Sequence, residues 1–483
     1  MDVSSTPPVP TMSSIDQRRR DLLQGAALGA LAGVSAAGAR APAAEAAQGH
    51  RLTVSDQFKY PGVEGRMLVN RPRATAVMAQ YGLDGLVALN PINVYYLANT
   101  LPVMTKFRSD IGALATIARD EKAPSYVITS TAQAWDLVNG DREVPELIAI
   151  SGIGNWQDYA NPDPEKMKIE PKATVAGYAV RADAPLTARE QRWVQAQRTY
   201  NPNAAGTPAW GLVRALRQSG LEKGRIGVDD MRLKLMLDEI GFTSVTCVPA
   251  ASIFRQIRMV KSEPELALMR VAGRNNATAS MNTIKAIRPG MRFDEVERLF
   301  QAECAVLGSE MTSFLAGVTI GLFPDGQAVS GKPFLIDSVS HFRQYHGDFS
   351  RTVCLGEPPK DVLSRAQANR NGRDAVFAAV KAGVRFSELR RIAREAEVKS
   401  GMPNEIIIVN PHSLGLEHGD NPARMDGPYS PLIDTVLEEN MVITVDLPYI
   451  EVGWGAGHHE DMIRVTRNGY EPMHPEGDPL VIV

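Results

Sequence analysis

Residues Ile336–Thr352 read IDSVSHFRQYHGDFSRT, with two aspartates, two histidines and two arginines in seventeen positions. Asp337 and Asp348 are eleven residues apart. On one continuous strand that odd spacing would send them to opposite faces. A turn near Phe342-Arg343 would instead make a hairpin and set the two acids across from each other on one face. Adjacent carboxylates repel unless a cation lies between them. The stretch therefore reads as an acidic hairpin suited to a metal ion.

Two further windows have the same character. In NPHSLGLEHGDNP (Asn410–Pro422), His412 and His418 flank a glycine. In MVITVDLPYIEVGWGAGHHED (Met441–Asp461), Asp446 ends one apolar strand-like run and Glu460 begins the next. Six of the eight histidines fall inside these three windows, which is hard to attribute to scattered caps and surface groups. Imidazole added to carboxylates suits Mn²⁺, Fe²⁺, Co²⁺ or Zn²⁺. The cysteines, Cys247, Cys304 and Cys354, are too few and too scattered for a disulfide framework, and without a CxxC they do not suggest a thiolate zinc site. Cys354 reads as a buried strand thiol. His50 and His474 receive no role.

The chain has 483 residues, enough for two domains, with 44% hydrophobic and 22% charged residues. A net charge of −3 gives no global attraction to nucleic acid or anionic membrane. The N-terminus differs from the rest. Arg18-Arg19-Arg20-Asp21-Leu22-Leu23 precedes an Ala/Gly-rich run with small-residue cleavage options near Ala41 and Ala46. This resembles a twin-arginine export signal and predicts a periplasmic protein. The run is too short and glycine-rich to span a membrane.

Between the signal and the acidic windows the pattern alternates. Helical spacing over Arg66–Tyr81, strands at Leu86–Leu89, Tyr126–Ile128 and Arg225–Val228, and helical stretches at Thr187–Leu216 and Met231–Ile240 predict an α/β unit. Ser262-Glu263-Pro264-Glu265 is a capping box that opens a helix. More helices are expected at Phe293–Leu307, Ser364–Ala382 and Phe386–Ser400, with Gly290 and Gly383 in positive-φ positions at their ends. Strands are expected at Phe334–Ser338, Phe349–Leu355, Ile406–Val409 and Met441–Val445.

The order Asp-x10-Asp, His, acid, Glu resembles the pita-bread metallohydrolases: aminopeptidase P, prolidase, creatinase and methionine aminopeptidase. Met259-Val260-Lys261-Ser262-x-x-Glu265-x-x-x-Met269-Arg270, AIRPGMRFDEVE from Ala286, EENMVITVD and IRVTRNGYEPM resemble that family's elements, and NPINVYYLANT resembles the N-terminal domain of its prolidase branch. The resemblance covers residues 65–475. Beyond the signal and flexible segment at 1–48, it implies an α/β N-terminal creatinase-like domain at 62–255 and an α+β pita-bread catalytic domain at 256–483.

Carried over by position, Asp337 would chelate one metal, Asp348 and Glu460 would bridge two, His412 would bind the second, and Asp446 would stand where the family has a glutamate. The implied cofactor is two divalent ions (Mn, Fe, Co or Zn) activating a shared water. Asp446 would shuttle its proton and His418 would stabilise the oxyanion. The implied activity is that of an Xaa-Pro dipeptidase or aminopeptidase P acting on short peptides, as a homodimer, without nucleic acid or membrane partners.

This chain departs from the pattern in four ways. Asp446 replaces the glutamate. His418 lies one residue closer to His412. No histidine occurs in Leu315–Phe334, upstream of the first aspartate. His458 stands in place of an arginine, beside His459. His458 shares the strand face of Glu460 and is a candidate site residue. His341 and His346, on the hairpin, are candidates to replace a missing proton donor. These departures motivate a second reading, a same-fold enzyme cleaving a non-peptide C–N bond as creatinase does, or a lyase such as that acting on dimethylsulfoniopropionate. A non-catalytic binding protein is a third.

Overall fold

Short apolar runs separated by capped helices build the first half of the chain. The computed structural model describes residues 65–107, 112–140, 142–151, 163–173, 177–318, 324–421 and 434–483. The predicted export signal and His50 lie outside them. Strands β1 (Gly85–Ala88), β2 (Ala113–Ala118), β3 (Tyr126–Ser130), β4 (Glu146–Ile150), β5 (Arg225–Val228) and β6 (Thr246–Pro249) form one sheet in the order β4-β3-β2-β1-β5-β6. β1 to β3 are linked antiparallel, and the other pairs are parallel. Buried β2 went unread because its sequence, ALATIA, lacks a polar alternation to mark it.

The helix expected from Arg66 begins at Arg71, where the Asn70 side chain accepts the backbone N–H of Arg73. The Thr187–Leu216 stretch divides into Ala188–Tyr200 and Pro208–Gln218, each closed at its start by a threonine cap. The capping box at Ser262 is present and opens a helix of 24 residues, Glu263–Ala286. Gly290 and Gly383 have positive φ but lie in the connections beyond the helix ends.

The second half holds two larger sheets. In one, β7 (Glu310–Gly317), β8 (Phe334–Phe342), β9 (Tyr345–Cys354) and β14 (Glu460–Asp461) run in the order β14-β9-β8-β7, with β17 (Leu480–Ile482) also paired to β9. The other has β10 (Asn410–Ser413), β11 (Val442–Asp446), β15 (Ile463–Val465) and β16 (Tyr470–Pro472) in that order. β12 (Tyr449–Glu451) and β13 (Gly455–Gly457) make a separate small hairpin. The strand expected at Ile406–Val409 is absent. A 3-10 turn covers Asn404–Ile406 and the strand starts at Asn410, because Arg394 ties down the carbonyls of Asn404 and Ile407 in the turn.

The β8–β9 hairpin turns at Arg343-Gln344, one residue later than expected, with φ of 49° and 70°. Two successive positive-φ residues match the right-handed twist of paired strands, although neither residue type favours that conformation. An unbroken register from Phe334–Val353 to Phe342–Tyr345 enforces it. The helix Glu263–Ala286 lies so close behind β9 that a Cβ on Gly347 would come within 2.4 Å of the Ala272 carbonyl oxygen. Leu68, Leu86, Tyr96 and Phe254 share one apolar cluster with Leu266, Tyr345, Leu416, Met462 and Met473. Among the described residues no helix is long and apolar enough to cross a membrane.

Gly347→Ala is expected to destabilise the fold by about 1–3 kcal/mol, since backbone rather than a movable side chain blocks the new methyl. Urea unfolding measures this, and an unchanged midpoint would contradict the close approach.

Candidate metal centre

Strand alternation chooses which side chains meet. Asp337 lies on β8 and Asp348 on β9. They are not directly opposite: Asp337 pairs with Ser350 and Asp348 with Val339, so the acids are diagonal neighbours on one face. The offset follows from the turn falling one residue later. Glu460 on β14 pairs with Ser350 of β9 and brings a third carboxylate to the same face. The second sheet supplies His412 from β10 and Asp446 from the end of β11.

Distances confirm the convergence. His412 Nε2 lies 3.3 Å from Asp446 Oδ1, 3.7 Å from Glu460 Oε1 and 3.8 Å from Asp348 Oδ2. His418 Nε2 donates to Asp348 Oδ2 at 2.9 Å. His458 Nδ1 is 3.8 Å from Asp337 Oδ2. Three overlapping groups could each hold an ion: Asp337, His458 and Glu460; His412, Asp446 and Glu460; Asp348, His412 and His418. All seven residues singled out in the sequence therefore belong to one constellation. His341 and His346 flank it on the hairpin: their rings lie 5.8 Å apart, and that of His346 is 6.4 Å from His418. His341 meets Thr312 and Glu310, and His346 meets the Gly415 carbonyl. His459 turns to the opposite face, beside Asp461.

Residues not singled out in the sequence brace the acids. Glu460 accepts one hydroxyl from Ser350 and one from Thr444, both at 2.8 Å. Asn410 donates to Asp446 Oδ2 at 3.0 Å. Ser350 and Thr444 each lie two positions from an acid on the same strand, so period-two alternation was the signal available for them.

The electrostatics suit a cation. Burial, reinforced by Glu460 and its acidic neighbours, holds Asp337 well above the usual carboxylate range. Burial and Glu460 also raise Asp348, despite the contact with His418. Burial acts to lower His412, but Asp446, Glu460 and Asp348 outweigh it and leave the imidazole well above its ordinary value. Burial pushes His458 down to about 4, so it is neutral at ordinary pH. Asp348 Oδ1 and Asp446 Oδ1 are buried and accept no hydrogen bond. A divalent cation would relieve the repulsion and engage these oxygens, and the oxygen and imidazole donors suit Mn²⁺, Fe²⁺, Co²⁺ or Zn²⁺.

Sheets that converge carboxylates and imidazoles in this way define a metallohydrolase of pita-bread type. Residues 267–467 match the model of metallopeptidase family M24. Probable dipeptidase PepE of Mycobacterium tuberculosis is 26% identical over 327 residues, covering 65% of this chain and 82% of that protein. An Xaa-Pro dipeptidase of Lactobacillus delbrueckii is 26% identical over 226 residues, 45% of this chain and 60% of that one. The fold resembles those of a Pyrococcus horikoshii dipeptidase (TM-score 0.59, 17% identity, 86% of this chain and 99% of that one) and a Thermotoga maritima X-Pro aminopeptidase (TM-score 0.60, 18% identity, 84% and 100%). Residues 267–467 thus resemble a metallopeptidase M24 domain, and the fold is of the pita-bread kind.

Protons would compete with a metal for these groups. Asp337 and Asp348 have raised folded values, so without metal they weaken the fold as the pH rises above the unfolded carboxylate range. His412, also raised, loses its stabilising charge as the pH rises through its folded value. Thermal stabilisation by added Mn²⁺ should therefore be larger at about pH 8 than at about pH 6. Melting curves with and without metal check the sign. Thr444→Val removes one hydroxyl from Glu460 and should weaken metal binding about 10–100-fold, read by titration calorimetry.

Proposed function

We propose that the chain is a metal-dependent Xaa-Pro dipeptidase. The observation that carries this reading is the convergence of Asp337, Asp348, His412, Asp446 and Glu460 on one site with buried, unsatisfied carboxylate oxygens. Relatives that bear the name Xaa-Pro dipeptidase support the substrate class. The five residues would hold two divalent ions, with His418 and His458 at the margins. Such ions, when bound, acidify a water and polarise a carbonyl.

The chain's own groups supply the rest. Asp446 accepts the proton released by the attacking water and passes it to the departing nitrogen. Burial tends to raise its carboxyl, but His412 more than offsets this and keeps it ionised as a base requires. His418 is half exposed and can turn its N–H toward the developing oxyanion. His458, buried and neutral, fills the space beside Asp337 without adding charge. Ser350, Thr444 and Asn410 keep the carboxylates in place.

The arginine-led segment at 18–23 supports export to the periplasm, and the resemblance to the prolidase branch supports a homodimer. Light scattering on the mature protein tests the latter.

Purified protein loaded with Mn²⁺ should hydrolyse short Xaa-Pro dipeptides and contain two ions per chain by elemental analysis. Glu460→Gln should lower kcat/KM by at least about a hundredfold and lose metal. A full complement of metal with no hydrolysis of any Xaa-Pro peptide would overturn the substrate reading.

A further inference from the structure

His418 sits on a half-exposed loop, where an imidazole would ordinarily sample several positions. Its neighbours are fixed instead. Glu417 takes a two-pronged contact from Arg255, Nε to Oε2 at 2.9 Å and Nη2 to Oε1 at 2.8 Å. Arg258 Nη2 also reaches Glu417 Oε2. On the other side of His418, Asp420 is fully buried. Its Oδ1 receives Arg258 Nη2 at 2.5 Å and Nε at 3.2 Å, and its Oδ2 lies 3.4 Å from Lys261 Nζ. One buried guanidinium therefore grips the loop both before and after the histidine.

The loop has no room to settle elsewhere. A Cβ on Gly415 would fall 2.4 Å from Asp420 Oδ2 and 2.8 Å from Lys261 Nζ. Asp420 N–H donates to the Ser413 carbonyl, and Asn421 Oδ1 accepts from the N–H and the hydroxyl of Ser413. Arg258 extends the chain of contacts to Asn93, whose amide donates to Asp229 at 2.9 Å. Asp229 in turn accepts the N–H groups of Leu89 and Asn90, just beyond β1. Arg255, Arg258 and Lys261 recur every three residues at the end of the helix Ala251–Met259 and just past it, which sets all three cations toward this loop.

We propose that Arg255 and Arg258 are positioning residues for His418: by clamping Glu417 and Asp420 they hold its imidazole on the acidic site and tie that placement to the six-stranded sheet. This rests on the reading of the site as a metal centre, though the contacts stand without it. Buried ion pairs of this kind contribute little net stability against an apolar alternative but fix geometry when every partner is satisfied. The shortened His412–His418 spacing leaves the loop no slack, so the clamp sets where the histidine falls.

The test uses the Mn²⁺-loaded full chain and two variants, Glu417→Gln and Arg258→Lys. Glu417 is partly exposed, so its variant guards against simple misfolding. The rate at which diethyl pyrocarbonate modifies His418, followed by peptide mass spectrometry, should rise about tenfold in Glu417→Gln, with metal content and circular dichroism unchanged. On an Xaa-Pro peptide, kcat should fall by a similar factor while KM stays within about twofold. In a His418→Ala background, adding Glu417→Gln should cost nothing further, because the clamp acts through the histidine. Unchanged His418 reactivity in both variants overturns the proposal, and so does an undiminished Glu417→Gln penalty in that background. If the protein cleaves no Xaa-Pro peptide, the substrate reading fails while the modification rates still decide the clamp.

Discussion

Repulsion among Asp337, Asp348 and Glu460 is the constraint around which the second half of the chain is arranged. Three carboxylates on adjacent strands cost free energy in a site shielded from water. Several features make that placement tolerable. Ser350 and Thr444 hydroxyls take both oxygens of Glu460. His412 approaches from a different sheet and meets three acids at once. What they leave unsatisfied, the buried oxygens of Asp348 and Asp446, is a demand for positive charge that the side chains alone do not meet.

Two faces of the same strands carry different chemistry. Asp348, Ser350 and Glu460 face the acidic site, while Phe349, Arg351 and Asp461 point the other way. There Arg351 Nη2 meets Asp461 Oδ1 at 2.6 Å, its guanidinium lies 4.0 Å from the centre of the Phe349 ring, and His459 stands within 3.0 Å of Asp461. Period-two alternation thus separates an acid-rich face suited to a cation from a face where an arginine meets the acid. A slip of one residue in β9 would exchange them, so the register enforced by the β8–β9 hairpin is itself a functional requirement.

Much of this was legible in the sequence. The three acid and histidine windows name every member of the constellation, because a site that could hold a metal needs particular atoms at particular positions and the resemblance carries those positions over. The helix opened by Ser262 and Glu265 was equally plain, since a capping box is a local signal. The diagonal offset of Asp337 and Asp348 was not, because it depends on a turn at Arg343-Gln344 whose residue types do not announce positive φ. Buried strand β2 escaped for lack of alternation, and the 3-10 turn at Asn404 depends on a distant arginine. Arg258 escaped as well: a basic residue on a helix ordinarily faces water, and only the assembled fold reveals it as one of the largest side chains wholly shielded from solvent.

The apolar cluster that joins Leu68 and Phe254 to Leu416, Met462 and Met473 bears on how the chain is made. Synthesis proceeds from the N-terminus, and the first half leaves the ribosome well before its packing partners exist. The cluster that holds Phe254 and Tyr96 is complete only once Met473, more than two hundred positions after Phe254, has been made. Until then a nascent chain of more than four hundred residues presents uncovered apolar surface, the condition under which holding chaperones are recruited and premature release leads to aggregation. Removing the segment that carries Met462 and Met473 should therefore disturb the core beneath the six-stranded sheet, whose last strand ends at Pro249.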